Sequence, residues 1–495
     1  MNLLTEVLGL LTYLFVLAIG LGCIALLVIY IIDVTQTRHA IRRNFPVIGR
    51  FRYFFEHLGE FFRQYFYAMD REELPFNRAE RSWVYRSAKG IDNTVAFGST
   101  RDLRQVGTMI FVNCAYPPLG QAVARPRALT IGPDSRRPYT TDRFFHISGM
   151  SYGAISKPAV LALSQGAKLA GCWLNTGEGG LSPHHLAGGA DIVFQIGTAN
   201  YGVRLPDGGL NEARLREVTA HEQVRMVEIK LSQGAKPGKG GLLPGVKVTA
   251  EIAQIRGIPV GEDSVSPNRH ASAHDAASLL DFIARVRQVS ERPTGIKAVI
   301  GDPGWLRDLC EEISRRGPAS APDFISIDSG DGGTGAAPMA LIDNVGLTIR
   351  ESLPMVVDTL QQYGLRERVR VIAAGKMITP VGVAWALCAG ADFVISARGF
   401  MFALGCIQAL KCNRNTCPTG ITTHDSRLQR GLVPADKAQR VMRYQQGMEL
   451  EVGIIAHSCG VTEPRALRRH HCRIVQANGR SVPMDELWPE TRAST

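Results

Sequence analysis

At 495 residues the chain is long enough for one large catalytic domain with additions. Its 56 Lys+Arg against 45 Asp+Glu give a formal charge of +11. With no compact Lys/Arg tract, RNP motif or zinc-finger spacing, that balance argues against nucleic acid and points to an anionic membrane surface. The 51 glycines fall in discrete loops without an internal repeat, as expected of a ligand-cradling enzyme and not of a low-complexity chain.

The N-terminus comes first. From Val7 to Ile32 no Asp, Glu, Lys or Arg occurs over 26 residues. A helix of that length spans roughly 39 Å, enough for a hydrocarbon core of about 30 Å. A cleaved signal peptide is the competing reading, but no basic n-region precedes the run and the run is long for an h-region. Arg38, Arg42, Arg43, Arg50 and Arg52 follow it, with no acid between Val34 and Phe55. The positive-inside rule then predicts a single-pass anchor in the cytoplasmic (inner) membrane, with the rest of the chain in the cytoplasm. Ten aromatics crowd residues 45–67, and Phe51, Phe54, Phe55, Leu58, Phe62 and Tyr65 follow helical spacing. Such a helix either lies in the lipid interface or packs on the body of the protein, and amphipathicity does not separate the two.

Between about 144 and 405 short apolar runs alternate with amphipathic stretches, which predicts βα units. The expected strands are Phe144–Ser148, Cys172–Asn175, Ile192–Ile196, Met226–Leu231, Ile296–Ile300, Asp323–Ile327, Val369–Ala373 and Asp392–Ser396. Helices are expected at Ser278–Val289 and Pro380–Ala389, among others. Eight such units in about 260 residues match a (β/α)8 TIM barrel. A doubly wound sheet is the alternative, but no GxGxxG opens a helix after the first strand. Glycine-rich loops follow the strands at Gly149–Gly153, Thr176–Gly180, Gln233–Gly241, Asp328–Gly335, Ala374–Lys376 and Ala397–Gly399. In a barrel these loops share the C-terminal face, where active sites form, and the loops after strands 7 and 8 are the usual phosphate site.

Cys406, Cys412 and Cys417 follow at C-x5-C-x4-C spacing, with Pro418 after the last. Thiolates are soft ligands, and three close cysteines without a fourth suit a three-iron cluster better than a four-cysteine one. The bland alternative is one buried thiol and two loop thiols.

These segments together resemble the FMN-binding domain of glutamate synthase, in its shorter membrane-anchored form. The matching stretches are SGMSYGAIS (148–156), NTGEGG (175–180), IKLSQGAKPGKGGLLPGVKVT (229–249), SGDGGTGAAP (329–338) and GCIQALKCNRNTCPTG (405–420). PFNRAERSWVYRSAKG (75–90) resembles the upstream signature of the anchored group. The resemblance implies an α/β fold, a (β/α)8 barrel carrying FMN and a [3Fe-4S] cluster. It divides the chain into an anchor (1–34), a juxtamembrane helix (35–70), an extension (71–143), the barrel with its cysteine motif (144–425) and a helical C-terminal extension (426–495).

The resemblance further implies amination of 2-oxoglutarate to 2-iminoglutarate and reduction to glutamate. Glu178, Lys236 and Lys230 are the implied catalytic residues. Met150, Ser151, Thr176, Gln233, Lys297, Ser329, Gly330, Gly333, Thr334, Gly375, Arg398 and Gly399 are the implied FMN contacts. Cys406, Cys412 and Cys417 are the implied cluster ligands. Lys297 is expected either to face the flavin or to snorkel to the barrel rim. Glu178 has a plainer reading as a cap on the following helix. No amidotransferase domain fits before the barrel, so ammonia is expected from solution or a partner, and electrons from an external donor protein. Ser266-Pro267-Asn268-Arg269-His270 departs from the family's His-His-Asp after Ser-Pro. That departure keeps two other readings open: a different amine, as in N-methylglutamate formation, and an electron-transfer subunit of a membrane complex.

Overall fold

The structure, a computed structural model, describes residues 2–119 and 123–489. Two compact units divide the chain, the first ending at Glu80 and the second beginning at Arg81. In the first unit one helix runs Asn2–Thr35. Its stretch Leu3–Thr35 is long and apolar enough to cross a membrane, and its apolar side chains are exposed. Asp33 ends the apolar run and takes two hydrogen bonds from Arg50 Nε, at 2.8 and 3.0 Å, and one from the Val47 amide at 3.0 Å. That clasp fixes the turn that runs through a short helix, Ala40–Asn44, into the helix Gly49–Phe62, which continues as a π-helical turn over Arg63–Tyr67. Phe51, Phe54, Phe55 and Tyr65 stand exposed on this segment. The side chain of Phe61 lies outside the described residues.

The second unit is built on a closed barrel of eight parallel strands. These are β1 (Phe145–Ile147), β2 (Leu174–Asn175), β3 (Ile192–Ile196), β4 (Val224–Lys230), β5 (Thr294–Val299), β6 (Phe324–Asp328), β7 (Arg370–Ala373) and β8 (Phe393–Ser396). β8 pairs with β1 and β4 with β5, which closes the ring. The strands are short and buried on both faces, hence the apolar runs without alternation. All eight expected strands are present, shifted by at most two residues at either end, and β2 is half its expected length. Cys172 and Trp173 extended the apolar run, but Trp173 instead stacks on His146 with ring centroids 3.3 Å apart.

Local chemistry sets the helix limits. Ser156 caps the helix Lys157–Ala170 by accepting from the Ala159 amide, and Gly171 ends it at φ +72°. Asp275 forms a capping box with Ser278 at the start of Ala276–Ser290. At the N-terminal end of the barrel the hairpin Leu129–Ile131/Tyr139–Thr141 supplies Ile131 and Tyr139 to the core formed with Trp173, Met226, Phe324 and Phe393. The C-terminal extension is not helical throughout. Its long helix Pro434–Ser458 packs on Lys157–Ala170, where a Cβ on Gly166 would fall 2.5 Å from Val441. Beyond it, Cys472–Val475 and Ser481–Pro483 form a small antiparallel sheet with Met109–Phe111.

Candidate active site at the C-terminal mouth of the barrel

Charged residues interrupt the apolar strands where the barrel meets its glycine loops. Glu228 of β4 is buried and accepts from Asn175 Nδ2 at 2.8 Å, Gln195 Nε2 at 2.6 Å and Ser326 Oγ at 2.5 Å. A buried carboxylate needs such partners, and here they tie β2, β3, β4 and β6 together across the barrel interior. Asn175 passes the order upward, accepting from the Gly177 amide at 2.9 Å. Lys297 on β5 is also buried, and its ammonium stands 3.3 Å from Asp328 at the end of β6. Burial alone would lower its pKa, but Asp328 and Glu228 outweigh burial and raise it. Of the two readings of Lys297, the snorkelling one does not hold: an ion pair with Asp328, not the rim, holds the ammonium.

Above this floor, Glu178 projects from the loop after β2 and meets Lys230 at 2.8 Å. Two glycines grip its carboxylate. A Cβ on Gly197, after β3, would lie 2.7 Å from Oε2, and one on Gly241, after β4, 2.4 Å from Oε1. Burial would raise the pKa of Glu178, but Lys230, Lys236 and Arg256 outweigh burial and lower it. Glu178 is thus an ionised carboxylate among three cations, and its side chain forms none of the helix caps. Lys236 is buried and makes no ion pair among the described residues. Burial, then Lys230, pulls its pKa down to about 8. Arg256 is buried as well, bonded to Ser264 and to the Tyr152 carbonyl, and lies over the Tyr201 ring.

Gln233 bridges the loops after β4 and β6: it accepts a short hydrogen bond from Lys230 and donates to Thr334 Oγ1 at 2.8 Å. Thr176 is buried, its hydroxyl bonded to the Gly177 carbonyl and to the Gln195 amide. Met150 is buried, and Ser151 packs beside Gly177, where an added Cβ would lie 2.7 Å from Oγ. The segment of unusual sequence lies at the same mouth. Ser266 Oγ is 3.4 Å from a Cβ placed on Gly241, Asn268 accepts from the Gly240 amide, and His270 touches the Lys230 carbonyl at 3.1 Å.

A cradle lies at the ends of β6, β7 and β8. Ser329 is buried and its Oγ has no hydrogen-bond partner among the described residues. A Cβ on Gly375 would come 2.0 Å from that oxygen, and Gly375 sits at φ +96°. Arg398 donates to the Asp331 carbonyl at 3.2 Å and would meet a Cβ on Gly333 at 2.7 Å. Gly330 packs against the Gly346 carbonyl in the same way. Gly399 has a different reason for being glycine: the Tyr444 hydroxyl stands 2.2 Å from where its Cβ would be.

The structure also gathers the three cysteines. No disulfide forms, and each thiol lies within electrostatic reach of the others. Burial pushes Cys406 up to about 12 and raises Cys412. For Cys417, hydrogen bonds involving Thr419 and Thr422 outweigh burial and lower it. Among the described residues no group of three His, Cys, Asp or Glu stands close enough to hold a single metal ion. Ligands of a cluster bind different irons and stand farther apart. Lys247, fully buried, donates to the Ala154 carbonyl at 2.7 Å and to the Cys412 carbonyl at 3.3 Å, and so ties the cysteine loop to the loop after β1.

The family model described as "Conserved region in glutamate synthase" matches residues 124–462. The chain belongs to the glutamate synthase family. The glutamate synthase large subunit-like protein YerD of Bacillus subtilis (strain 168) is 39% identical over 93% of this chain and 94% of that protein. The archaeal glutamate synthase (NADPH) of Methanocaldococcus jannaschii is 36% identical over 66% of this chain, which spans only 61% of that relative. Among solved structures, mandelate oxidase with 3,3-difluoro-2-hydroxy-3-phenylpropionic acid aligns at 14% identity and a TM-score of 0.44, over 74% of this chain and 87% of that one. Pattern alone does not single out Lys247, inside the motif 229–249, nor Glu228 and Asp328, which directly precede the motifs 229–249 and 329–338. A charge inside an apolar strand was the available signal for Glu228 and Asp328. Arg256 had none, because it ends an ordinary amphipathic helix, Ala250–Arg256.

Proposed function

We propose that the chain is a glutamate synthase-like oxidoreductase that aminates 2-oxoglutarate with ammonia and reduces the resulting 2-iminoglutarate to glutamate. The observation that carries this reading is the Glu178 carboxylate walled in by Lys230, Lys236 and Arg256. Three cations against one carboxylate leave a surplus of two positive charges, which suits a dianionic oxo acid. Ammonia attack on the keto carbon expels water and needs proton transfers at nitrogen and oxygen. Glu178 is placed to accept the proton from nitrogen, and Lys236, poised near neutrality, to deliver one to the departing oxygen. Lys230 orients Glu178, and Gln233 holds Lys230.

The residues fit FMN and a cluster. The Ser329 hydroxyl, the glycine backbone at Gly330 and Gly375 and the half-buried Arg398 would hold a phosphate, and Met150, Ser151, Thr176, Gln233, Lys297, Gly333, Thr334 and Gly399 would be the contacts of a flavin. Cys406, Cys412 and Cys417 offer three thiols for a [3Fe-4S] cluster, with the buried Lys247 within electrostatic reach of Cys412 and Cys417. When bound, FMN supplies the hydride and the cluster supplies single electrons from a donor protein. The apolar helix Leu3–Thr35 anchors the chain in the cytoplasmic membrane, and the exposed aromatics of Gly49–Phe62 lie in the lipid interface.

The test is anaerobic. Chemically reduced protein should be reoxidised by 2-oxoglutarate and ammonium together and by neither alone. Reoxidation with methylamine but not ammonium replaces ammonia as the nitrogen substrate, and no reoxidation with either overturns the reading. Two variants probe its parts. Cys412→Ser should lose the iron while FMN remains, as measured by iron and flavin content, because only the cluster needs the thiolate. Lys236, lowered to about 8, sheds its proton in the free site as pH rises through 8. kcat/KM for the oxo acid should therefore fall above that pH, and Lys236→Arg, which stays charged, should remove this limb from the profile. The folded protein, by contrast, gains stability from this group between pH 8 and about 10.4, because the unfolded chain then binds more protons.

A further inference from the structure

A second concave site lies at the other end of the barrel. It is a cleft of about 570 Å³ where the C-terminal extension, over Thr462–Arg469, meets the starts of β7 and β8. That volume falls within the usual range for small-molecule sites. Six arginines line it: Arg127, Arg366, Arg370, Arg465, Arg468 and Arg469. Three are neutralised by carboxylates. Arg366 pairs with Asp392 at 3.0 Å, Arg465 with Glu463 at 3.1 Å, and Arg469 with Asp358. The other three have no carboxylate partner among the described residues. Arg370 donates to the Thr130 carbonyl, Arg468 to the carbonyls of Arg465 and Leu467, and the Arg127 side chain makes no hydrogen bond. Glu367 is the one lining carboxylate left without a cation. Three unpaired guanidiniums less one unpaired carboxylate leave two positive charges in the cleft.

The rest of the lining also has a use. Leu129, Val357, Leu387 and Ala391 give it an apolar wall. Gln361 lines it too, with Oε1 buried and without a hydrogen-bond partner among the described residues. Guanidiniums bind phosphate through parallel N–H···O bonds, and an acceptor amide beside them takes a ligand hydroxyl. The geometry points to a binding site for a dianionic phosphate ester carrying a hydroxyl and an apolar part. It stands apart from the catalytic mouth, because its residues precede β7 and β8 whereas the glycine cradle follows them. A ligand there bridges the C-terminal extension to the barrel and stabilises the folded state by mass action.

The experiment is calorimetric titration of the detergent-solubilised full chain, with its cofactors bound, at fixed salt. The probes are ATP, pyrophosphate and water-soluble dioctanoyl phosphatidic acid. Saturable binding of at least one probe is expected, weakened tenfold or more in Arg127→Ala/Arg468→Ala, while turnover at the barrel mouth is unchanged. Both arginines are exposed, so their loss leaves the core intact; Arg468→Glu alone gives the same loss by reversing one charge. Binding of ATP or pyrophosphate alone assigns the site to a soluble phosphate, and binding of phosphatidic acid alone to a lipid headgroup. No saturable binding of any probe, or equal affinity in the variants, overturns the site.

Discussion

Glu178→Gln should keep FMN content close to that of the parent and slow substrate-dependent reoxidation by about 10²–10⁴-fold, the usual range when a positioned base is lost. The amide keeps the shape that Gly197 and Gly241 allow but cannot accept the proton from nitrogen, and it leaves Lys230, Lys236 and Arg256 without their shared counter-charge. Stopped-flow absorbance of the flavin, with 2-oxoglutarate and ammonium mixed against reduced protein, reads the rate. An unchanged rate would leave Glu178 as an ion-pair partner of Lys230 and nothing more.

Gly375→Ala should act on the cofactor. The residue sits at φ +96°, where an L side chain is strained, and its Cβ would fall 2.0 Å from the Ser329 hydroxyl. Either the loop after β7 moves or Ser329 does, and both lie in the proposed phosphate cradle. FMN affinity should fall by on the order of tenfold to a hundredfold, the worth of one charge-assisted hydrogen bond. The barrel should remain folded, because the change is confined to a loop. Ultrafiltration of the purified variant, with flavin measured in the filtrate, gives the result; retention equal to the parent would move the phosphate elsewhere.

The barrel was legible because buried parallel strands leave uninterrupted apolar runs, and β3 reads as IVFQI with every residue buried. β2 is shorter than its apolar run, since Cys172 and Trp173 are as apolar as a strand but precede it, and Trp173 packs in the core at the barrel's N-terminal end. Of the site, the loops announced themselves through their glycines, and Glu178, Lys230 and Lys236 do converge. What pattern could not supply is who faces whom. Lys297 carried the right address on β5, but its partner Asp328 comes from the next strand and appears only once the two pair in register. Arg256 reaches Glu178 from a helix that precedes β5, and nothing in its spacing says so. The extension before the barrel was unreadable for a different reason: between residues 91 and 143 its regular structure is three strands of three residues, too short to carry a period among the described residues.

The central claim is the chemistry, and the product tests it most directly. Reduced, cofactor-replete protein incubated without oxygen with 2-oxoglutarate and ¹⁵N-ammonium should yield ¹⁵N-glutamate in step with the flavin reoxidised, as read by mass spectrometry. Reoxidation of the flavin without labelled glutamate, or no reaction from a flavin that reduces normally, would contradict it.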